Sequence, residues 1–336
     1  MTKQIKYIYN DKLPIVKKDW KGNICINGRF YNDSTPVKSP VNSVLKWKLS
    51  SNPQKEEKKN DTFKLKLVPL NDFTDTEDKI IWLGHASFLI RLDGVNIITD
   101  PCFFNIPTSK REVSLPCPIG AINNLDYLLI SHDHRDHFDI PSIRELTKNN
   151  SNVEALLPLG MQKLFQKSTL NNSPFQEAGW YQSYKLSKEF QIIFLPANHW
   201  GRRGIFDFNK RLWGSFLLIG KNKKIFFAGD TAYHSNTFKE IQSEFGDIDI
   251  CLLPIGAYSP KYIMEQSHTT PEEAFKIFED LKGSTFIPMH YGTYDLSDEP
   301  LGEPIRRIEK CFEQQNEKLK TLAVGEQYKL ESNPQK

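Results

Sequence analysis

The run Ile130-Ser131-His132-Asp133-His134-Arg135-Asp136-His137 constrains this chain more than any other feature. It sets three imidazoles and a carboxylate within six positions, as H-x-H-x-D-H, directly after the apolar stretch 127–130. Imidazole and carboxylate suit borderline divalent cations such as zinc, whose ligand distances of about 2 Å demand donors brought close together. One ion cannot easily take all four donors of so tight a run. Alternate residues of an extended loop can face one ion while the adjacent Asp136-His137 pair faces another, so the spacing favours two cations.

Three later segments each put a polar ligand type at the end of an expected strand: Pro196-Ala197-Asn198-His199, Ala228-Gly229-Asp230-Thr231 and Pro288-Met289-His290-Tyr291. Singly, each has an ordinary explanation as a hydrogen-bonded histidine or a turn. Together, and in this order after the run, they complete two coordination spheres on loops that a rigid sheet would position.

The surrounding pattern of short apolar runs closed by Gly, Asp, Pro or Asn predicts strands over 80–90, 95–99, 127–130, 153–157, 191–195, 215–219, 224–228, 248–253 and 285–288. Helices are expected over 139–147, 160–168, 236–244, 271–281 and 302–316. The fourth opens with Thr270-Pro271-Glu272-Glu273, an N-cap, a proline at the first helical position and acids in the first turn. So many strands with helices between and after them exceed a small single sheet. They fit an α/β (α+β) sandwich of two sheets between helices.

Charge divides the chain. Residues 1–66 hold fifteen Lys and Arg against six Asp and Glu, a net of +9, which leaves −6 for residues 67–336 of a chain whose total is +3. The expected organisation is a basic N-terminal arm and linker at 1–66, a main domain at 67–325 and a polar tail at 326–336. Within the arm, 49–62 reads as an exposed loop. The arm has two readings: attachment to an anionic lipid surface through Val44, Leu45, Trp47 and Leu49 among Lys46 and Lys48, or packing on the body. A nucleic-acid partner is not expected, because the acidic body would repel a phosphate backbone. No apolar run approaches the roughly 18 residues of a membrane span, and no secretory signal opens the chain. Five scattered cysteines without a C-x-x-C pair read as reduced thiols, so the expected location is cytoplasmic, with peripheral membrane attachment as a variant. The pentapeptide Ser-Asn-Pro-Gln-Lys occurs at 51–55 and again at 332–336, and no function attaches to it.

These residues resemble a metallo-β-lactamase-fold hydrolase, which implies an αββα sandwich of two mixed sheets flanked by helices. The resemblance assigns His132, His134 and His199 to one metal, Asp136, His137 and His290 to a second, and Asp230 to both. A diiron flavoprotein of the same fold would be expected to have Glu where His134 stands, so the site resembles the hydrolytic, zinc-type branch, with Mn2+ or Fe2+ as alternatives. Trp82-Leu83-Gly84-His85-Ala86-Ser87 and Thr99-Asp100-Pro101 resemble two smaller groups: the N-acylphosphatidylethanolamine-hydrolysing phospholipase D group and the ascorbate-6-phosphate lactonase group. Leu157-Pro158-Leu159-Gly160, Leu212-Trp213-Gly214-Ser215, Pro254-Ile255-Gly256-Ala257-Tyr258 and His268-Thr269-Thr270-Pro271 favour the former. The likeness runs from about residue 27 to about 310 and is weakest between Cys102 and Cys117 and over 48–70.

What this resemblance implies is a phosphodiesterase that attacks phosphorus in line with a hydroxide held between two cations. A phospholipid substrate would yield phosphatidic acid and an N-acylethanolamine. The alternative is a lactonase or small-molecule phosphodiesterase, and a homodimer is an open expectation. Asp230 would bridge the metals, and His268, with Gln266 nearby, would bind phosphate or protonate the leaving group. His85 and Asp100 are expected to orient metal ligands rather than bind metal. Tyr258 is a candidate for the cleft lining, and Arg202 and Arg203 for phosphate contacts.

Overall fold

A computed structural model describes residues 5–33, 41–70, 76–170, 172–187 and 189–330. The second copy of the repeated pentapeptide and the side chain of Leu45 lie outside the described residues. The arm begins with β1 (Ile5–Ile8), β2 (Asn23–Ile26) and β3 (Arg29–Tyr31), which pair as a small antiparallel sheet, followed by α1 (Val41–Lys48) and α2 (Lys55–Asn60). Next come β4 (Lys79–Trp82), β5 (Phe88–Leu92), β6 (Val95–Thr99), β7 (Tyr127–Leu129), α3 (Ile140–Asn149), β8 (Glu154–Pro158), α4 (Gln162–Ser168) and β9 (Phe175–Ala178). The second half runs β10 (Gln182–Ser183), β11 (Gln191–Leu195), β12 (Ser215–Ile219), β13 (Lys224–Phe227), α5 (Ser235–Phe245), β14 (Ile250–Pro254), α6 (Lys261–Met264), α7 (Pro271–Asp280), β15 (Thr285–Met289), α8 (Glu303–Cys311) and β16 (Gln327–Lys329).

Two mixed sheets face each other. One has the order β16-β4-β5-β6-β7-β8-β9 and the other β10-β11-β12-β13-β14-β15. Each is antiparallel at its start and parallel at its end: β6 to β9 in the first, β13 to β15 in the second. Period-two alternation decides which side chains meet between them. On β5, Phe88, Ile90 and Leu92 join the core shared with Phe194, Phe216 and Phe227, while Leu89 turns outward to the cluster under α3 and α4 with Ile143, Leu146 and Phe165. Phe88 and Phe227 touch across the gap, with ring centroids 6.5 Å apart. Phe238 of α5, Ile277 and Phe278 of α7 and Ile308 of α8 cover the second sheet. The layers are thus helix, sheet, sheet, helix, the sandwich expected from sequence.

Four elements differ from the expectation. The expected strand 80–90 is a hairpin, because Gly84 (φ +95°) and His85 (φ 54°) take left-handed backbone and reverse the chain between β4 and β5. The segment 49–62 contains α2, a turn and a half of charged residues with none buried, invisible to apolar periodicity. Gln327–Lys329, expected in the polar tail, form the antiparallel edge strand against β4. The helix expected over 302–316 stops at Cys311.

The arm is pinned to the body. Val16 N–H donates to Tyr181 O at 2.8 Å, the Asn23 carboxamide oxygen accepts from Trp180 N–H at 3.1 Å, and Leu13 is buried. Trp47 Nε1 donates to Asp298 at 2.9 Å and Gln54 to Glu303 at 2.8 Å. The five cysteines are free thiols, and four are buried. Among the described residues no helix is long and apolar enough to cross a membrane.

Candidate metal centre

The parallel halves of the sheets end side by side, and loops leaving the carboxyl ends of parallel strands are where α/β sheets build sites. Residues 131–138 leave β7 beside Asp100, which leaves β6. Asp100 is fully buried and accepts from Ser131 N–H at 2.7 Å and Ser131 Oγ at 2.5 Å, and its other contact is His137 Nδ1 at 2.7 Å. An acceptor on Nδ1 forces the tautomer that presents Nε2 outward. His199, after β11, has Nδ1 2.8 Å from the Ser267 carbonyl oxygen, so its Nε2 also points inward. Asp230 follows β13 through Gly229 (φ +59°), where a Cβ would stand 2.6 Å from that of Ser131. Only glycine permits so close an approach between the two ligand loops. His290, after β15, is itself left-handed at φ 61°.

The donors converge in two groups. In the first, His132 Nε2 lies 2.9 Å and His199 Nε2 3.1 Å from His134 Nδ1, with Asp230 Oδ2 3.9 and 3.8 Å from His132 and His199. In the second, His137 Nε2 and His290 Nε2 each stand 3.6 Å from Asp136 Oδ2, with His85 Nε2 at 3.0 Å from the same oxygen. Asp230 joins the groups: Oδ2 is 3.1 Å from His137 Nε2 and Oδ1 is 3.1 Å from His290 Nε2. The donors of each group lie within 4.8 Å of one another.

The residues fit cations. His137 Nε2, His290 Nε2 and Asp230 Oδ1 are buried without a hydrogen-bond partner, and leaving such groups unsatisfied costs about 1–3 kcal/mol each. The carboxylates attract positive charge: burial alone would lower His290, yet Asp230 and Asp136 raise it to about 9, and they hold His137 well above the ordinary range. Burial opposes ionisation of Asp230 and Asp136 too, but the neighbouring histidines keep both well below the usual carboxylate range. On the other side burial holds His132 and His199 well below ordinary histidine, as neutral donors.

All seven expected ligand positions therefore meet at one centre. His85, which the sequence reading kept out of the ligand set, sits among the donors of the second group, and burial lowers it to about 3. His268 reaches the rim from the turn before α7, where Thr270 and Glu273 form a reciprocal capping box. Its Nδ1 lies 3.9 Å from Asp230, its side chain is 14% exposed, and burial pushes it down to about 4. Gln266 is exposed on the same turn.

Two of the lesser assignments change, those of Arg203 and Tyr258. Arg203 Nη1 donates to the carbonyls of Asp133 and Phe138 at 3.0 and 2.8 Å, so this guanidinium braces the ligand loop and is not free for phosphate. Arg202 Nε donates to Gly204 O at 2.7 Å within its own loop. Tyr258 donates its hydroxyl to Glu303 at 2.8 Å and stacks under Arg307, which commits it to α8 and not to the cleft. Two residues were missed. Arg211 Nε holds buried Asp133 at 2.5 Å, and Arg111 donates to the backbone carbonyls of Leu83, Cys102 and Val113, strapping the β4–β5 turn. Neither lies in a motif; a buried Asp inside the ligand run was the one hint of a missing cation.

Residues 95–291 match the family model for the beta-lactamase superfamily domain. The chain is 34% identical over 227 residues to the N-acyl-phosphatidylethanolamine-hydrolyzing phospholipase D 1 of Caenorhabditis elegans, a match covering 64% of this chain and 64% of that protein. Against a UPF0173 metal-dependent hydrolase of Caldivirga maquilingensis it is 29% identical, over 63% of this chain and 82% of the relative. Among solved structures, Igni18, a metallo hydrolase of Ignicoccus hospitalis, superposes with a TM-score of 0.56 at 23% identity, over 77% of this chain and all of that one. The nematode enzyme is thus matched over less than two thirds of its length. With the family match extending over more than half of the chain, the chain belongs to the beta-lactamase superfamily.

Proposed function

We propose that this chain is a metal-dependent hydrolase that cleaves the phosphodiester of N-acylphosphatidylethanolamine or a related phospholipid, releasing phosphatidic acid and an N-acylethanolamine. The observation that carries the reading is Asp230, whose Oδ2 lies between the groups, 3.9 and 3.8 Å from His132 and His199 and 3.1 Å from His137, while its Oδ1 is 3.1 Å from His290. The likeness to a nematode protein named for this reaction supplies the substrate class. Two divalent cations, zinc by the donor chemistry with manganese or iron as alternatives, would lower the pKa of a shared water and offset charge on the phosphoryl oxygens.

The chain's own residues contribute orientation and exclusion of water. Asp100 and the Ser267 carbonyl fix the tautomers of His137 and His199. Trp200 closes one side, its ring 4.4 Å from that of His134. His268, 3.9 Å from Asp230, would donate a hydrogen bond from its ring to a non-bridging phosphoryl oxygen or to the departing alcohol oxygen. No serine or cysteine nucleophile is required, and burial raises the Cys102 and Cys251 thiols far above the reactive range.

A second reading, a small soluble ester, lactone or phosphodiester as substrate, draws on the fuller coverage of the Caldivirga relative. The test is a panel of N-acylated and ordinary phospholipids, lactones and soluble phosphodiesters, with metal content measured on the same sample. Phosphatidic acid release supports the first reading. Turnover of lactones or soluble esters with no phospholipid cleaved would replace it with the second.

A further inference from the structure

The loop between His199 and β12, which leaves the metal centre through Trp200, exposes two large apolar side chains. Ile205 is 76% and Phe206 81% exposed. The loop is closed at its neck, where Asn209 N–H donates to Gly201 O at 2.7 Å and Gly201 N–H to the Asn209 side chain at 3.1 Å. Asp207 then ties the far side: its carboxylate accepts from the N–H groups of Gly204 at 2.7 Å and Arg203 at 3.3 Å and is paired with Arg211. Arg29 of β3 donates to the carbonyls of Phe206 and Phe208. A loop so held presents its tip to solvent as a built feature of the fold.

The loop starts at the site. Trp200 contacts His134, and Phe208 lies 5.9 Å from Trp200. Cations lie beside the loop: Arg29 bonds the Phe206 and Phe208 carbonyls, Arg135 reaches the Arg203 carbonyl at 3.5 Å, Arg202 belongs to the loop and exposed Lys210 follows it. The loop's one carboxylate, Asp207, shares Arg211 with Asp133. The arm reaches the same edge, because Ile26 of β2 pairs with Arg29 on one side and with Ile5 of β1 on the other. Ile5, in register with that pair, is 43% exposed. An apolar point within a cationic collar complements a bilayer with acyl chains below and anionic headgroups above.

We propose that residues 201–209 dock the protein on anionic phospholipid membranes, with Ile205 and Phe206 entering the acyl boundary and the collar at headgroup level. This gives the proposed lipid hydrolase its surface, and it rests on that reading only for its purpose. Docking at the rim would bring a lipid phosphodiester to the cations without its leaving the bilayer.

The experiment compares the full metal-loaded chain with the double variant Ile205→Ser, Phe206→Ser by co-sedimentation with phosphatidylcholine vesicles containing 30% phosphatidylserine. Wild type is expected to partition to the vesicles, less so as salt rises, and the variant about tenfold more weakly. Metal content and unfolding midpoint should be the same in both, since neither side chain is packed. Equal partition of the two proteins, or no binding by wild type, would overturn docking by this loop. So would an unchanged partition with a changed oligomeric state, which would make the tip a contact between subunits. The two proposals fail separately: vesicle binding that depends on the tip, without phosphatidic acid release from any lipid, leaves docking intact and removes the phospholipase reading.

Discussion

His85 Nε2 lies 3.0 Å from Asp136 Oδ2, a bond between a tight turn of the first sheet and the middle of the ligand run, 51 positions away in sequence. The same turn gives the His85 carbonyl to His290 N–H at 3.1 Å and takes Thr293 Oγ1 as acceptor for its own N–H at 2.7 Å. One residue thus touches two proposed ligands of the second cation. His85→Ala is expected to weaken retention of one of two ions by about 10–100-fold while sparing the other. Metal analysis after graded dialysis against a chelator checks it; equal loss of both ions would refute the assignment.

Gly84 makes that turn possible. At φ +95° any other residue is strained, and a Cβ would stand 2.6 Å from the Arg111 guanidinium that holds the turn. Gly84→Ala should cost about 1–3 kcal/mol in denaturant unfolding and also lower metal retention. A neutral effect on both would mean that the strap gives way easily.

His268 and Asp230 should separate kinetically. His268→Ala is expected to lower kcat by about a hundredfold or more with two ions still bound. Asp230→Asn should lose activity together with metal, because this carboxylate faces both donor groups. Metal analysis alongside single-turnover rates distinguishes the two, and metal loss in the His268 variant would count against its role at the rim.

Asp61 offers a pH test remote from the centre. Burial would raise its pKa, but the Gly302 N–H at 2.7 Å and Arg306 at 3.1 Å hold it below the ordinary value. A carboxylate lowered in the folded state adds stability that is complete above its unfolded pKa of about 3.9 and is lost as pH falls through the folded one. Asp61→Asn should therefore destabilise the fold at pH 7, and the gap to wild type should narrow as pH falls from the unfolded value through the folded one. Urea midpoints across that range decide it, and a gap independent of pH would exclude the ionic account.

Spacing and strand context made the ligand run and its three distant partners readable, because apolar strands and polar strand ends differ in composition. The β4–β5 hairpin was hidden because Trp82 to Phe88 is apolar or small nearly throughout, and the left-handed backbone at Gly84 and His85 breaks it. Polar Gln182–Ser183 and Gln327–Lys329 become strands through their neighbours and not through a pattern of their own. The partners of Arg203 and Arg111 are backbone carbonyls, which no side-chain alphabet records.

The strand β16 carries a consequence for biosynthesis. Lys79 of β4 meets Gln327 from 248 positions away, so the outer hydrogen-bonding edge of β4 stays open on the ribosome until nearly the whole described chain has emerged. At about 5–20 residues per second that is an exposure of tens of seconds or less for a strand with Ile80, Ile81 and Trp82 in it. An open edge of this kind invites pairing with another chain. Stop codons just ahead of Gln327 would accordingly produce inclusion bodies and chaperone dependence, and not a trimmed version of the same protein.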